Sequence, residues 1–515
     1  MVKTYEEGLA DAGLEDPPAG LEGWRQHTLD GFNVDLRAAP YHSLDREEVR
    51  SMLSAVIEGE HPIIAGFEEE QAAKWGPYSL QDPWSARVED ARDAYFGHKP
   101  FRPVPSALNA AIDDFRALIP SQSLLPASVD EILRRGPKTT NLGLPTFSRE
   151  RRYVPEYVAR FDDLDDIFPY VAGWRGQPGG MNPRPWTKQR ILDMADKLDG
   201  LYGGQMVYPI EDALKFLPEF AAWSGLPAVA VAVRDVLRLA RDRGVTVFST
   251  DFSGFDTSIP GELLDIALDI HKSFMVREPW GFDKFREAVT SGALLTPNEL
   301  WTGRYGYLPS GTITTSVTGT TINRMSAVYI SKVLGVDLVA GCYLGDDAVN
   351  VYSPQPSVDE IESAGKDFNL DLSADKQFVH ESAAHFLQNG YILQDDGELL
   401  QGGGIRPIMR MWNGALSFER RRRPGEWNDF MGLVRLINQL ENTKFSEVFE
   451  RNVKFAVEGD GRLLSMDPRE ILRRAGGVGR INEVLGFAAF QATSWSVSGF
   501  DEYRTVQYLR ELSGR

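Results

Sequence analysis

The stretch 338–352, LVAGCYLGDDAVNVY, decides the fold. Residues 338–344 and 348–352 are apolar runs with β-branched and aromatic members, and Gly345, Asp346 and Asp347 separate them. That is the pattern of a strand, a tight turn and a second strand. Two adjacent carboxylates therefore stand at the tip of a hairpin with buried arms. Like charges side by side raise each other's pKa and oppose ionisation, so such a tip is most comfortable when it binds divalent cations. Oxygen ligands select hard ions, Mg²⁺ or Mn²⁺. A solvated turn uses Gly and Asp too, so the setting of the motif carries the decision.

At 515 residues the chain is too long for one ordinary core, and two to four lobes are expected. Its 42% hydrophobic and 25% charged residues are ordinary for a soluble globular protein. The single cysteine, Cys342, excludes an internal disulfide framework and any zinc site built on several cysteines. It reads as a small core residue on the hairpin strand. The opening MVKTYEEGLADAGLEDPPAG has no apolar core for a secretion signal, and no later run approaches membrane-spanning length, so a soluble protein without a membrane partner is expected. With 55 Lys and Arg against 74 Asp and Glu, the net charge is −19. A nucleic-acid partner then requires the basic residues to be concentrated in a channel, because phosphate responds to the local field and not to the sum.

Residues 1–130 read as helical and loop-rich, with Glu68, Glu69 and Glu70 as a solvated face. In PKTTNLGLPTFSRERRYVP, Gly143 and Pro145 set an extended loop before Arg149, Arg151 and Arg152. The run GWRGQPGGMNPRPWTKQR, 173–190, reads as a Gly/Pro-rich loop that carries Arg175, Arg184, Lys188 and Arg190 interleaved with Trp174 and Trp186. Cations alternating with aromatics suit a triphosphate or a single-stranded nucleic acid; a plain solvent-exposed loop is the alternative.

A helical run over 229–241 leads into VTVFST, 245–250, a short buried-type strand that ends at Asp251. A carboxylate where a rigid strand meets an open loop is a typical catalytic placement. Asp256 follows, equally suited to capping the next helix, and Pro260 opens a helix to about Phe274. Pro309, Ser310 and Gly311 make a turn into a helix over 315–334. Thr315, Gly319 and Asn323 fall within roughly 80° on that helix, a polar strip that lets a ligand or a backbone approach closely. Ser357 and Glu360 form a capping box. Lys376 lies in the strand-like LSADKQFVH, and Asp395, Asp396 and Gly397 read as a hairpin turn. Beyond residue 402 the pattern is helical, over 430–440 and 447–457 among others. Arg420, Arg421, Arg422 and Arg423 form the densest basic run, either a wall of an RNA groove or an exposed helix face.

A strand ending at Asp251, a Ser-Gly turn entering a polar-striped helix and an Asp-tipped hairpin, in that order, resemble the palm domain of viral RNA-directed RNA polymerases. The resemblance is closest to the picobirnavirus and partitivirus group of double-stranded RNA viruses. Asp251 with Asp256 is similar to the first palm motif. Ser310, Gly311, Thr315 and Asn323 are similar to the second, and Gly345 to Asp347 to the third. Lys376 is similar to the lysine of the fourth motif and residues 385–391 to the fifth. Gly143 and Pro145 resemble part of a template-guiding fingers motif, and Lys188 with Arg190, aided by Arg175, the fingers motif that holds incoming triphosphate.

The resemblance implies an α+β right hand of fingers, palm and thumb, with an antiparallel palm sheet backed by helices and a mainly α thumb. It divides the chain into an N-terminal region with fingers (1–240), palm (241–274), a fingers insertion (275–305), palm again (306–392), and thumb with C-terminal region (393–515). The implied enzyme is an RNA-directed RNA polymerase, a nucleotidyltransferase that adds ribonucleotides from NTPs and releases pyrophosphate in viral genome replication and transcription. Its implied partners are template and product RNA, NTPs and a viral capsid protein; it would act as a monomer in the host cytoplasm or inside the virion.

The chemistry asks for two Mg²⁺ ions, with Mn²⁺ as the alternative: one lowers the pKa of the 3′-hydroxyl and one steadies the triphosphate. Asp251 and Asp346 would bridge both ions, with Asp347 assisting. Lys188 and Arg190 offset triphosphate charge, and Lys376 protonates or positions the leaving pyrophosphate. By resemblance, Asp256, Ser310 and Asn323 test the ribose 2′-hydroxyl. That polar set favours ribonucleotides over the deoxynucleotides of a reverse transcriptase, the nearest alternative. A non-catalytic RNA-binding protein with a decayed palm is the alternative of another class, and the intact Asp251, Asp346 and Asp347 argue against it.

Overall fold

A computed structural model of the chain describes residues 1–182, 185–372, 376–422, 425–485 and 497–515. In chain order its strands are β1 (Val2–Thr4), β2 (Tyr170–Gly180), β3 (Trp186–Met194), β4 (Val247–Thr250), β5 (Leu294–Leu295) and β6 (Glu299–Trp301). They continue as β7 (Asp337–Leu344), β8 (Asp347–Ser353), β9 (Phe378–His380), β10 (Ala383–Phe386) and β11 (Asn389–Ile392).

The hairpin anticipated at 338–352 is β7–β8, the edge pair of an antiparallel sheet ordered β7-β8-β4-β9. Side chains alternate across a strand, and here both faces are covered. Phe248, Tyr343, Ala348 and Tyr352 point into a core with the helices Gly261–Phe274 and Thr315–Leu334. Val247, Cys342, Val349 and Val351 point into another with the helix Leu226–Arg243. Two buried faces explain why the hairpin arms read as unbroken apolar runs, and Cys342 is the core residue expected.

A second sheet, ordered β1-β6-β5-β2-β3, joins the chain's first residues to segment 275–305 and to the stretch 173–190. That last stretch is not a loop. It forms most of an antiparallel ribbon whose pairing runs from Val171↔Met194 to Gly180↔Trp186. Its Gly and Pro hide the strand pattern, and a distant segment supplies what local propensity lacks. Thr187 Oγ1 donates to the Pro77 carbonyl at 3.0 Å, and Gln189 Nε2 to the Leu80 carbonyl at 2.9 Å. Gly176 is needed because a Cβ there would overlap the Tyr78 carbonyl.

The C-terminal part is helical, including Ile408–Ala415, Asp429–Glu441 and Phe449–Gly459. The early helix Arg46–Ile57 belongs to its core, burying Val49, Leu53 and Val56 with Trp412, Ile437 and Val453. The expected 1–240 unit thus contains segments of two bodies, since β1 lies in the ribbon's sheet. Helix Pro62–Ala73 crosses between them, packing Ile64 and Phe67 on Ala383, Ile392 and Ile405.

Two further expectations are corrected. Glu69 and Glu70 are exposed, but Glu68 is buried, and its carboxylate accepts from the amides of Ile408 and Met409, capping a helix whose first N–H groups lack intrahelical partners. The basic run 420–423 is not on a helix; its described residues lie in irregular chain between two helices. Arg421 sits 5.1 Å from the Phe32 ring centroid and Arg422 4.8 Å from that of Trp427. Arg423 lies outside the described residues, as does Arg184. Among the described residues no helix is long and apolar enough to cross a membrane.

Candidate active site

The carboxylates come together through strand register. Phe248 pairs with Asn350, Ser249 with Val349 and Thr250 with Ala348. One further step brings Asp251, where β4 ends, opposite Asp347, where β8 begins, with Asp346 beside it in the turn; residues opposite each other in an antiparallel pair share a face. The Asp251 backbone is clamped by one side chain. Its N–H donates to Gln377 Oε1 at 3.3 Å, and Gln377 Nε2 donates to its carbonyl at 2.9 Å.

Burial, then the Asp346 charge, raise the Asp251 pKa above its ordinary value, against the pull of Lys376, Lys74 and Arg190. Asp347 is pushed up to about 8 by burial, then by Asp346 and Asp251, with Arg410 opposing. Asp256 is raised to about 6, chiefly by burial and also by Asp346, while the Ser310 hydroxyl bonded to its Oδ2 and the charge of Arg190 work the other way.

Helix Thr315–Leu334 holds the turn. Asn323 Nδ2 donates to the Gly345 carbonyl at 2.9 Å and the Asp347 carbonyl at 3.3 Å, and Thr320 Oγ1 accepts from the Gly345 N–H at 2.8 Å. The polar strip therefore meets backbone: Asn323 is buried, and its amide hydrogens serve the turn. Thr315 Oγ1 likewise donates inward, to the Pro309 carbonyl at 2.7 Å. Gly311, at φ +114°, lets Ser310 lie against β3; a Cβ there would stand 2.7 Å from the Asp193 carbonyl.

Opposite charge comes from the β2–β3 ribbon. Arg175 faces Arg190 and Gln177 faces Lys188 in the register, so Arg175, Lys188 and Arg190 share one face with Trp186, while Thr187 and Gln189 hold the other against residues 77–80. The Lys188 pKa is lowered by burial and by Arg190 and Lys376, with Asp251 opposing. The ribbon's cations and the carboxylates therefore feel one another. Lys376 donates from Nζ to Ser253 Oγ.

Sequence reading missed Lys74 and Arg410. Lys74 ends helix Pro62–Ala73 and acts on Asp251 and Lys188. Arg410 acts on Asp347 and donates from Nη1 to Gln71 Oε1 at 3.0 Å. The one clue to Arg410 is an arginine among Met409, Met411 and Trp412; Lys74 carries none. Gly143, at φ +72°, presses on the Ala195 carbonyl, and the carbonyls of Gly143 and Leu144, beside Pro145, accept from Tyr157 Oη. Arg175 reaches Glu419 at 4.0 Å, which brings the segment with Arg420 to the edge of the ribbon.

Among the described residues no three His, Cys, Asp or Glu side chains are already gathered as a metal cage. What Asp251, Asp346 and Asp347 offer is an open rim of oxygen donors, in which burial first and mutual repulsion second raise Asp251 and Asp347. This fits Mg²⁺, which takes one or two carboxylates and fills its other positions with water and phosphate.

The family described as viral RNA-dependent RNA polymerase matches residues 198–397, which include β4, the Thr315–Leu334 helix and the β7–β8 hairpin. A "Potential RNA-dependent RNA polymerase" of a human picobirnavirus (strain Human/Thailand/Hy005102/-) is 24% identical over 477 residues, 87% of each chain. The crystal structure of a human picobirnavirus RNA-dependent RNA polymerase superposes with a TM-score of 0.79 at 21% identity, covering 96% of this chain and 97% of that one. Its insertion-loop deletion mutant gives 0.77 at 22%, with the same coverage. The fold is accordingly the right-hand polymerase fold; the expected division assigns the β7-β8-β4-β9 sheet to the palm, the ribbon to the fingers and the C-terminal helices to the thumb.

Proposed function

The chain is a viral-type RNA-dependent RNA polymerase related to that of picobirnaviruses, a nucleotidyltransferase that takes an RNA template and NTPs, and we propose that Asp251, Asp346 and Asp347 form its catalytic rim with two Mg²⁺ ions. Bound there, the ions would supply a lowered pKa for the 3′-hydroxyl and charge to steady the pyrophosphate leaving group. The hydroxyl oxygen attacks the α-phosphorus, its proton is lost, and the bond to the β-phosphate bridging oxygen breaks. Asp251 and Asp346, brought together on neighbouring strands, would hold the cations, and Asp347 beside them would assist.

Lys188 and Arg190, with Arg175 beside them, bind and orient the triphosphate. Lys376, fixed on Ser253, stands on the same side and meets the departing pyrophosphate. The Asp256–Ser310 pair turns a polar edge towards the ribose, which supports ribonucleotides as substrates. Asn323 acts through the turn it holds, as a positioning residue. Gly143, Pro145 and Arg420 to Arg422 border the path of template and product RNA. The reaction would serve replication and transcription of a viral RNA genome, by a monomer in the host cytoplasm or with capsid protein inside the particle.

One observation carries this reading: the β4–β8 register sets Asp251 against the Asp346–Asp347 turn, facing a ribbon of cations. The test is RNA synthesis on a single-stranded RNA template with Mg²⁺. Wild type should incorporate ribonucleotides and not deoxynucleotides. Asp346→Ala should incorporate neither while still binding RNA in a salt-dependent way; incorporation by that variant refutes the assignment.

A further inference from the structure

Trp186 has no part in the chemistry above. It lies on the ribbon face of Lys188 and Arg190, two residues from Lys188 and so about 7 Å along the strand. Its side chain is 44% exposed, although an indole in this position has every hydrophobic reason to be covered. One ring face is covered. A Cβ built on Gly179 would fall against Cδ2, Cε2 and Cε3 of Trp186, so the ring lies flat on that glycine's backbone. Gly179 falls within the register shift between Pro178 and Gly180, which gives the ribbon tip the bend that brings the ring over. The remainder of the indole accounts for its exposure to solvent.

In the run Trp186, Lys188, Arg190 on one face of β3, Trp186 stands at the end nearest the ribbon tip. At that end the ribbon tip abuts the segment around Lys74: a Cβ on Gly76 would stand 2.9 Å from the Gly180 carbonyl, and one on Gly180 would stand 3.0 Å from the Ala73 carbonyl. An aromatic plane next to lysines is the arrangement that takes single-stranded nucleic acid, base on ring and phosphate on cation.

We propose that Trp186 is a stacking platform for an unpaired base of single-stranded RNA at the tip of the cationic ribbon. The choice of RNA rests on the polymerase reading; the platform is read by binding alone, so a loss of catalysis and a loss of stacking are separate results.

The experiment measures, at one salt concentration, the affinity of the full chain for a short single-stranded RNA and for the same strand with abasic positions. Trp186→Ala should bind the normal strand about tenfold more weakly, the size of one lost base–aromatic stack, and should barely distinguish it from the abasic strand, which wild type does. Trp186→Phe should recover most of the affinity. Gly179→Ala, which displaces the ring while leaving it in the chain, should behave like Trp186→Ala. Unchanged thermal unfolding of Trp186→Phe guards against misfolding. Equal discrimination by wild type and Trp186→Ala overturns the proposal. So does a pure rise in KM for NTP with RNA affinity unchanged, which would assign the ring to the incoming nucleotide.

Discussion

The palm rim and the fingers ribbon are built in opposite ways. The rim is negative, and its parts are consecutive: β4, the Thr315–Leu334 helix and the β7–β8 hairpin follow one another, and Asn323 and Thr320 hold the turn from within the same unit. The ribbon is positive, and its backing comes from residues 77–80, about a hundred positions earlier. Each half is uncomfortable alone: Asp251 and Asp347 are pushed towards protonation, and the Lys188 charge is disfavoured by burial and by Arg190. On the proposed assignment, a cation-bound triphosphate would relieve both at once, bringing cations to one side and anions to the other. The site would then be two incomplete charge sets that one substrate completes.

Breaking the rim should cost most. Asp251→Ala is expected to lower incorporation about a thousandfold or more, since it removes charge stabilisation at the reacting centre, with RNA affinity little changed; single-turnover incorporation read beside RNA binding checks this. Breaking the ribbon should cost less and in a different quantity. Lys188→Ala should raise KM for NTP about thirtyfold, in line with one lost charge-assisted contact, with a smaller fall in kcat. A fall in kcat alone would move Lys188 from binding to chemistry. Asn323→Ala, which leaves the carboxylates in place and frees the turn, should lower kcat about tenfold at unchanged KM and cost about 1–2 kcal/mol of stability, the worth of its two hydrogen bonds. A rise in KM that depends on the 2′-hydroxyl of the nucleotide would return Asn323 to ribose recognition.

The same contrast explains what sequence could say. The hairpin, the strand before Asp251 and the helix starting at Thr315 were legible because period and turn chemistry agree locally and the partners lie nearby in the chain. The ribbon reads as a loop in sequence because Gly173, Gly176, Pro178, Gly179 and Gly180 carry no strand signal, and its bracing by Thr187 and Gln189 on residues 77–80 lies beyond any local window. Glu68 read as solvated for the same reason: the helix it caps begins at Ile408, beyond any local window. Lys74 and Arg410 reach the rim from helices on either side of the palm in sequence, and no spacing rule links them to Asp251 or Asp347. That Asn323 bonds the turn's carbonyls is not legible in sequence, because helical periodicity says which residues share a face and not whether that face meets ligand or backbone.

The pH response separates one palm residue from the ribbon's base by sign. Behind the palm, His271 is buried between helices Gly261–Phe274 and Thr315–Leu334, its Nε2 2.8 Å from Thr321 Oγ1, and burial lowers its pKa from 6.5 to about 3. Between those values the unfolded chain binds a proton that the fold refuses, so the contribution of His271 to stability falls as pH drops below 6.5, by at most about 1.4 kcal/mol per pH unit, while the raised Asp256 and Asp347 of the rim contribute the other way. At the base of the ribbon, Asp193 and Asp196 are raised from 3.8 to about 6 and Asp199 to about 7, all chiefly by burial. There the folded state holds protons that the unfolded chain has released, so stability rises as pH falls from about 7 towards 3.8. Hydrogen exchange compared at neutral and mildly acid pH, after correction for intrinsic rates, should show protection rising in β3 and helix Lys197–Leu214, and the two palm helices of wild type losing protection relative to those of His271→Gln. His271→Gln should leave the gain at the ribbon's base unchanged. If that substitution shifts the acid response of both regions alike, the two share one unfolding unit, and the division between a self-contained palm and a remotely braced ribbon ends at geometry.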